Sequence, residues 1–192
     1  MKIGNILEAA DSKGWRNWLA KNHKTETEIW LVFYKKASGK PRISYNDAVM
    51  EALSYGWIDS TVKALDKDRF VQKFSPRRRT SGLSQMNRER IHTLIRQNRM
   101  TKAGLEAVAH VFNREQDNAE EFEIPVDILE PLKENRQAWT NFQKFPESYK
   151  RIRIAYIESR KRHSQEQFQT SLNYFIKMTA KNKRIGFVKE MR

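Results

Sequence analysis

Residues 57–75, with the sequence WIDSTVKALDKDRFVQKFS, decide the fold because they read as a β-hairpin. β-Branched and aromatic residues predict one strand over 57–65 and a returning strand over 69–75. The polar residues 66–68 between them are typical of a turn. Alternate residues of a strand share a face. We therefore expect one face of the first strand to carry an indole, a carboxylate, a hydroxyl and an ammonium, those of Trp57, Asp59, Thr61 and Lys63.

The segments around the hairpin predict helices and one further strand. The run from Ile29 to Tyr34 is β-branched and aromatic throughout, which favours a buried strand. A helix begun at Asp11 or Ser12 should pack Trp15, Trp18 and Leu19 onto the sheet, because they fall at i, i+3 and i+4. Further helices are predicted to begin at Ser44, Ser84 and Thr101. This order predicts an α+β fold, a small antiparallel sheet with flanking helices.

The C-terminal residues predict a helical bundle. Phe168, Leu172, Phe175 and Ile176 make one amphipathic stripe. Pro131 is expected to break or restart the helix that begins at Pro125. In the helix begun at Pro146, we expect the side chains of Ile152, Ala155 and Tyr156 to face inward and those of Lys150, Arg151 and Arg153 to face outward.

The charge pattern predicts the domain organisation. The net charge of +14 divides into +10 for residues 1–113, −4 for residues 114–125 and +8 for residues 126–192. The acidic segment lacks helical apolar spacing, so we predict an α+β domain over 1–113, a connector over 114–125 and a helical domain over 126–192. Ten basic residues and a single acid, Glu89, lie between Arg69 and Lys102. Such a surface attracts polyanions or small anionic ligands, although a basic, solvated face is the plainer interpretation.

The compartment is predicted from what the sequence lacks. It contains no cysteine, which fits a reducing compartment. Charged residues interrupt the N-terminus before a secretory apolar core could form. The longest apolar run, from Ile29 to Tyr34, is too short to cross a bilayer. We therefore expect a cytoplasmic protein without a transmembrane segment, and the sequence predicts no oligomeric state.

Asp59 has two interpretations. Beside Lys63 or Arg69 its carboxylate would be held ionised and positioned by its partner. One interpretation is a structural ion pair that locks the hairpin. The other is a carboxylate that contacts a ligand or acts as an acid or base.

The sequence Ser75-Pro76-Arg77-Arg78-Arg79 predicts an anion-binding loop. Pro76 should end the strand, so the arginines would project near the start of the helix at Ser84. Helix N-terminal amides together with guanidinium groups bind anions. The candidate ligand-binding residues are Trp57, Asp59, Lys63, Arg69, Arg77, Arg78, Ser84 and Asn87.

Motifs for cofactors and metals are missing from the sequence. The four histidines show no ligand spacing, and there is no Gly-rich phosphate loop, no G-x-S-x-G and no dinucleotide fingerprint. We predict no cofactor and no metal, and we assign no catalytic residue. The helices begun at Ser84 and Thr101 could form a helix-turn-helix, although paired amphipathic helices are common in other contexts.

A set of ordered motifs resembles the bacteriocin-protection, YdeI/OmpD-associated family. The resemblance covers roughly residues 12–112 and extends more loosely to the C-terminal helices. It implies a fold related to small α+β domains of the YjbR/CyaY-like type and a role in envelope protection alongside a porin. The family's usual Thr-Arg cluster has no counterpart around Glu166 to Thr170, so the resemblance does not imply an anion site at those residues. The motifs that carry the resemblance are Trp30 to Lys36, Tyr45 to Leu53, Gly56-Trp57-Ile58-Asp59, Asp68-Arg69-Phe70, Phe74 to Arg78, Ser81, Ser84, Asn87, Arg90 and Met100 to Leu105.

Three functions remain open at the level of the sequence. The leading one is a non-enzymatic binding or stress-protection protein with a basic site for a small anionic ligand, a lipid head group or a protein partner. The second is a nucleic-acid-binding module, since non-specific nucleic-acid binding at low salt is expected of such a charge. The third is an enzyme in which Asp59 is the base and Arg69 and Arg77 hold an anionic substrate. The sequence favours a protein that is not an enzyme.

Overall fold

A computed structural model of the chain describes residues 2–113 and 122–186. The described residues form two compact units. Residues 2–83 and 90–113 make up the N-terminal unit, and residues 84–89 and 122–186 make up the C-terminal unit. Most of the connector predicted at 114–125 lies outside the described residues, so the predicted division of the chain at that segment stays a prediction.

A four-stranded sheet in the order β1-β2-β4-β3 is the centre of the N-terminal unit. β4 pairs antiparallel with both β2 and β3, which confirms the hairpin and the α+β class. β1 pairs parallel with β2, so the sheet is mixed rather than purely antiparallel as predicted. The strands are β1 (Ile6–Leu7), β2 (Ile29–Tyr34), β3 (Trp57–Ala64) and β4 (Arg69–Pro76).

The hairpin register changes within β3. Asp59 lies opposite Phe74, whereas Lys63 lies opposite Val71. The two pairings differ by one residue because a β-bulge lies between Asp59 and Val62. An extra residue on one strand moves the following side chains to the other face of the sheet.

Helices cover one face of the sheet in the N-terminal unit. Trp15 and Leu19 are fully buried, and the Trp15 indole donates to the carbonyl of Ala48 at 3.0 Å. Trp18 is half-buried and stacks on Trp15 with ring centroids 5.4 Å apart. These contacts confirm that the two indoles pack the first helix onto the core. The helices are α1 (Ser12–Asn22), α2 (Tyr45–Ser54), α3 (Gln85–Arg96, of which residues 85–89 belong to the C-terminal unit) and α4 (Lys102–Val108).

The end of α2 is held close to the start of α4. A Cβ at Gly104 would lie 2.3 Å from the Ser54 carbonyl oxygen, so only glycine allows this approach. Thr101 caps α4 and also donates its hydroxyl to the Ser54 carbonyl at 2.7 Å. Gly56 follows α2 with φ of 77°, a conformation that glycine adopts without strain. This close approach fixes the point at which β3 begins.

The C-terminal unit consists of helices packed around one apolar core. The core includes Tyr149, Leu172 and Phe175, none of which exposes its side chain. The helix that contains Pro131 continues through it and ends before Asn135, which caps the next helix by accepting from the Ala138 amide at 3.0 Å. The break predicted at Pro131 therefore lies at Asn135. The helices are α5 (Val126–Glu134), α6 (Arg136–Gln143), α7 (Glu147–Ser159) and α8 (Gln165–Ala180), with a 3₁₀ turn at Arg160–Arg162.

The buried face of α7 differs from the predicted one. Lys150 and Arg153 were expected to face outward but are each only 8% exposed, whereas Tyr156, expected inward, is 45% exposed. The buried residues of this helix include Ile154 and Ile157 together with the two basic residues. Over residues 2–113 and 122–186, no helix combines the length and the apolar character that crossing a membrane requires.

Candidate functional site

Asp59 lies in a group of polar side chains within the N-terminal unit. Its Oδ2 accepts hydrogen bonds from the Tyr45 hydroxyl at 2.7 Å and from the Gln72 side-chain amide at 3.3 Å. Tyr45 is the first residue of α2, and Gln72 lies on β4. Gln72 also donates to the Ser60 carbonyl at 3.2 Å, directly before the bulge. The carboxylate is thus held by two neutral donors from two different elements.

A buried arginine supplies positive charge to this group. Arg90 is 4% exposed, and its Nε donates to the Asn46 side-chain oxygen at 3.1 Å. Burial lowers the pKa of the Arg90 guanidinium, while the charges of Tyr45 and Asp59 act in the opposite direction. Burial raises the pKa of the Tyr45 hydroxyl, as does its hydrogen bond to Asp59. We call Tyr45, Asn46, Asp59, Gln72 and Arg90 the Asp59 cluster.

Trp57 belongs to the core. It is 1% exposed, and its indole donates to the His23 carbonyl at 3.1 Å. Its ring meets that of Trp18 edge to face, with centroids 5.7 Å apart. The position places the indole where it has almost no surface left for a ligand.

Lys63 does not share a face with Asp59, and the prediction that it would is wrong. The bulge after Asp59 places Lys63 opposite Val71, whose side chain packs with Trp30 in a separate cluster. The Lys63 ammonium lies 5.6 Å from the centroid of the Trp30 ring, a cation–π contact.

Arg69 lies at the turn end of the hairpin. Its guanidinium pairs with Asp66 at 2.7 Å and lies 3.9 Å from Glu8. Hydrogen bonding to Asp66 raises the pKa of Arg69, and the same contact lowers the pKa of Asp66. An aspartate does form an ion pair at the hairpin turn, but it is Asp66 and not Asp59.

Arg77 follows the opposite end of β4 and organises the loop that comes next. Its Nη2 donates to the carbonyls of Ser81 and Gly82, at 2.6 Å in each case. β4 has eight residues, so at about 3.3 Å per residue Arg69 and Arg77 are separated by roughly 26 Å of strand. The convergence of Asp59, Arg69 and Arg77 on one ligand, expected from the sequence, is therefore wrong.

The Arg-rich loop, residues 77–82, exposes two further arginines. Arg78 and Arg79 are exposed, and their guanidinium groups contact no acidic side chain among the described residues. Burial lowers the pKa of Arg77, in keeping with a guanidinium that is directed into its own loop. Within this loop Arg77 points inward and binds backbone carbonyls, whereas Arg78 and Arg79 are exposed to solvent.

Ser84 and Asn87 lie in the C-terminal unit, at the start of α3. The Ser84 hydroxyl oxygen accepts from the Asn87 amide at 3.3 Å, a capping bond. In the same segment Glu89 is 5% exposed and accepts two hydrogen bonds from Arg151, at 2.5 and 2.9 Å. The one acidic residue between Arg69 and Lys102 is thus part of a buried ion pair.

The Asp59 cluster consists of hydrogen bonds around a carboxylate that already accepts from Tyr45 and Gln72. Among the residues that the structure describes, no group of three histidine, cysteine, aspartate or glutamate side chains could hold a metal ion. An apolar cavity of about 390 Å³ in the same unit includes Ile95, Met100, Leu105 and Phe112 in its lining. None of the residues that line it belongs to the Asp59 cluster.

Sequence reasoning missed the partners of Asp59. Tyr45 and Arg90 are present among the motifs quoted for the family resemblance, but their spacing along the chain does not reveal a shared site. Gln72 was detectable as the single amide of its strand. A neutral polar side chain in a central strand needs a hydrogen-bond partner when it is buried, and Gln72 is 2% exposed.

Two family models match the chain. A domain of unknown function, DUF8412, matches residues 7–107. The family described as bacteriocin-protection, YdeI or OmpD-associated matches residues 121–182. The resemblance is confirmed, although this model matches the C-terminal helices and not the motif-rich N-terminal half. No curated protein and no solved structure matches the chain significantly.

Proposed function

Because the chain belongs to the family of the DUF8412 domain and carries a bacteriocin-protection, YdeI or OmpD-associated domain, we propose that it is a non-enzymatic stress-protection protein that binds an anionic partner. The binding surface is the Arg-rich loop of the N-terminal unit. The partner class is a phosphate-bearing anion such as a lipid head group or pyrophosphate.

The observation that carries the proposal is the internal bonding of Arg77. By donating to two carbonyls of its own loop, Arg77 holds the backbone from which Arg78 and Arg79 project into solvent. A loop held in one conformation loses less entropy on binding than a free one. Guanidinium groups recognise phosphate through paired hydrogen bonds.

The position of Asp59 supports binding over catalysis. An enzyme with Asp59 as its base would need Arg69 and Arg77 to hold the substrate. Instead, Arg69 pairs with Asp66, and Arg77 donates to a carbonyl of its own loop. The Asp59 carboxylate accepts from Tyr45 and Gln72 within the fold. In this proposal the Asp59 cluster stabilises the hairpin on which the loop depends.

The test uses a double variant, Arg78→Ala with Arg79→Ala, and phosphatidylglycerol vesicles as the probe at physiological salt. A basic residue near an anionic membrane contributes about 1 kcal/mol. The variant should therefore bind at least roughly tenfold more weakly. Co-sedimentation measures vesicle binding, and the shift of the melting temperature measures pyrophosphate binding.

The matched control removes the same charge from α1, by Lys13→Ala with Lys21→Ala. Both lysines are exposed, and the control should retain binding within about twofold of the wild type. Equal losses in the two variants would mean that the total charge alone attracts the vesicles, and the proposal would be wrong.

Duplex DNA is the second probe, because a net charge of +14 attracts any polyanion. We expect binding weaker than about 10 µM at physiological salt, within the non-specific range. Submicromolar, sequence-dependent binding at that salt would replace the proposal with a nucleic-acid-binding function.

A further inference from the structure

Arg153 on α7 is a buried arginine without an acidic partner among the described residues. It is 8% exposed, and its Nε is enclosed without a hydrogen bond. No hydrogen bond or ion pair joins any part of its guanidinium to residues 2–113 or 122–186. A buried charge is costly unless it is paired and hydrogen-bonded, so this position needs an explanation.

The neighbouring basic residues of α7 show that the same helix does pair its charges. Arg151 is bonded twice to Glu89, and Lys150 donates to Glu147 at 2.7 Å and to the Gln143 carbonyl at 3.0 Å. Hydrogen bonding to Glu89 raises the pKa of Arg151, whereas burial lowers the pKa of Arg153. Arg153 is thus the exception among three basic residues of one helix.

Tyrosine side chains lie near the Arg153 guanidinium, and a second arginine contacts the ring of one of them. The guanidinium lies 4.7 Å from the centroid of the Tyr156 ring, and Arg160 lies 5.6 Å from the same ring. Tyr149, Arg153, Tyr156 and Arg160 fall at helical spacing, which gives one stripe along α7 and the turn after it. Tyr149 and Tyr174 also lie close enough to influence the charge of Arg153.

The stripe runs from the core to the surface. Tyr149 is fully buried, whereas Tyr156 is 45% exposed and Tyr174 is 52% exposed. The backbone at Gly186 passes so close that a Cβ there would lie 3.0 Å from Arg153 Nη1. The arrangement combines the unused guanidinium donors of Arg153 with two tyrosine side chains that are partly exposed to solvent.

We infer that Arg153, with Arg160, Tyr156 and Tyr174, forms an oxyanion-binding site in the C-terminal unit, and that its ligand carries a phosphate group. Arginine matches the geometry of phosphate with two parallel hydrogen bonds. Arg160, at the same Tyr156 ring, adds a second guanidinium. Its Nη2 donates to the Gln167 side-chain oxygen at 2.5 Å, while its Nε is enclosed without a hydrogen bond. The tyrosine hydroxyls can donate to the remaining phosphate oxygens. This site is independent of the Arg-rich loop, since it uses other residues in the other unit.

The experiment measures inorganic phosphate binding to the full chain by isothermal titration calorimetry, with Arg153→Met as the test variant. Methionine keeps the apolar volume of the side chain and removes the charge. A hydrogen bond to a charged group contributes about 1.5–3 kcal/mol, so phosphate binding should weaken by roughly tenfold to a hundredfold. The control, Arg162→Met, removes an exposed arginine from the adjacent turn and should bind as the wild type does.

The folded state of the variant gives a second measurement. Replacing an unpaired buried charge with an apolar residue should leave the melting temperature in phosphate-free buffer unchanged or raise it. In the wild type phosphate should raise the melting temperature, and in Arg153→Met it should not. A large drop in the melting temperature of Arg153→Met without phosphate would mean that the fold already pairs this arginine, and it would overturn the inference.

Two further arms identify the source of the anion. The variant Glu190→Gln tests whether a carboxylate of the chain itself is the anion. If phosphate binds to this variant as it binds to the wild type, the inference is supported. If phosphate binds only to this variant, the inference is overturned.

Phosphatidylglycerol vesicles test whether the phosphate belongs to a lipid head group. A loss of vesicle binding in Arg153→Met but not in Arg162→Met assigns the phosphate to a lipid. If phosphate binds but vesicles show no such difference, the ligand is a soluble phosphate compound. Absence of phosphate binding in the wild type contradicts the inference in every form.

Discussion

Glu51 in the N-terminal unit and Arg153 in the C-terminal unit are two buried charged side chains with opposite surroundings. In the N-terminal unit Glu51 is 4% exposed and pairs with Arg16 at 2.6 Å and with Arg99 at 2.5 Å. In the C-terminal unit Arg153 is 8% exposed and pairs with no acidic side chain among the described residues. The two side chains are similarly buried, so burial alone does not distinguish a structural charge from a candidate site.

The difference lies in whether the fold supplies the partners. Glu51 joins α1 to α2 through Arg16, and Arg16 also donates to the Arg99 carbonyl at 3.2 Å. Each charged side chain of this triad is thus paired with an opposite charge of the same unit. The guanidinium of Arg153 has aromatic neighbours but no acceptor in the described part of the chain, which leaves its hydrogen-bonding capacity for a ligand.

The largest expected effect comes from Glu51→Gln. Removing one partner of a buried ion pair leaves uncompensated charge, and such changes cost 3–5 kcal/mol in buried settings. Because Arg16 and Arg99 are each about one-third exposed, we expect a loss at the lower end, about 3 kcal/mol. Urea unfolding followed by circular dichroism measures it.

The matched control for this prediction is Glu106→Gln. Glu106 lies 3.9 Å from Lys102, and both side chains are exposed. Exposed ion pairs contribute little, so the control should lose less than about 0.5 kcal/mol. Similar losses in the two variants would show that the Glu51 triad does not stabilise the N-terminal unit.

Tyr45→Phe has the next largest expected effect, because it removes one of the two donors to Asp59. A hydrogen bond to a charged acceptor contributes about 1.5–3 kcal/mol, and the half-buried setting places this loss near about 1.5 kcal/mol. Tyr174→Phe, at a tyrosine that is 52% exposed, is the control and should change the unfolding free energy by less than about 0.5 kcal/mol. If Tyr45→Phe leaves the unfolding free energy unchanged, the Asp59 cluster does not stabilise the hairpin.

The pH dependence of stability tests the same hydroxyl. Burial and the bond to Asp59 raise the pKa of Tyr45 above its ordinary value of 10.0. The unfolded chain therefore releases this proton first, and stability is lost as the pH rises above about 10. Tyr45→Phe should show a shallower decline over that range, and identical pH profiles would contradict the assignment.

Arg77 is intermediate between the fully paired Glu51 and the unpaired Arg153, since its Nη2 is hydrogen-bonded while its Nε is not. Arg77→Met should free the loop and lower the unfolding free energy by about 1 kcal/mol, because the lost hydrogen bonds are partly exposed. Limited proteolysis should cut the loop of this variant faster than that of the wild type. An unchanged rate of proteolysis would show that Arg77 does not hold the loop in its conformation.

The smallest effect is expected for Asp66→Asn at the hairpin turn. Asp66 pairs with Arg69 at the protein surface, so solvent and salt screen the interaction. We expect a small decrease in the melting temperature at low salt that disappears at high salt. A decrease that persists at high salt would show that the ion pair contributes more than surface electrostatics.

The sequence predicted the hairpin closely because its signals are local. The strands observed, Trp57–Ala64 and Arg69–Pro76, differ by one residue from the predicted ends at Leu65 and Ser75. Alternating and β-branched residues, with a polar turn between them, suffice for such a prediction. The helices begun at Asp11, Ser44 and Thr101 were predicted for the same reason, since each cap bonds within its own first turn.

The site was harder to predict because it depends on register and on contacts between distant residues. One extra residue in the bulge reversed the face of Lys63, and no local signal announced it. The contact between Tyr45 and Asp59 and the isolation of Arg153 depend on how helices pack. On α7 the basic residues misled the assignment of faces, since a charge predicts exposure but Lys150 and Arg153 are buried.

The most direct test of the contrast between Glu51 and Arg153 is a phosphate titration followed by the NMR signals of the arginine Nε–H groups. The Nε–H of Arg153 should shift with phosphate concentration, and this signal should be missing from the spectrum of Arg153→Met. The signals of Arg16 and Arg99 should stay in place, because Glu51 already occupies their guanidinium groups. A spectrum in which Arg153 does not respond, or in which the Glu51 partners respond equally, would contradict the account.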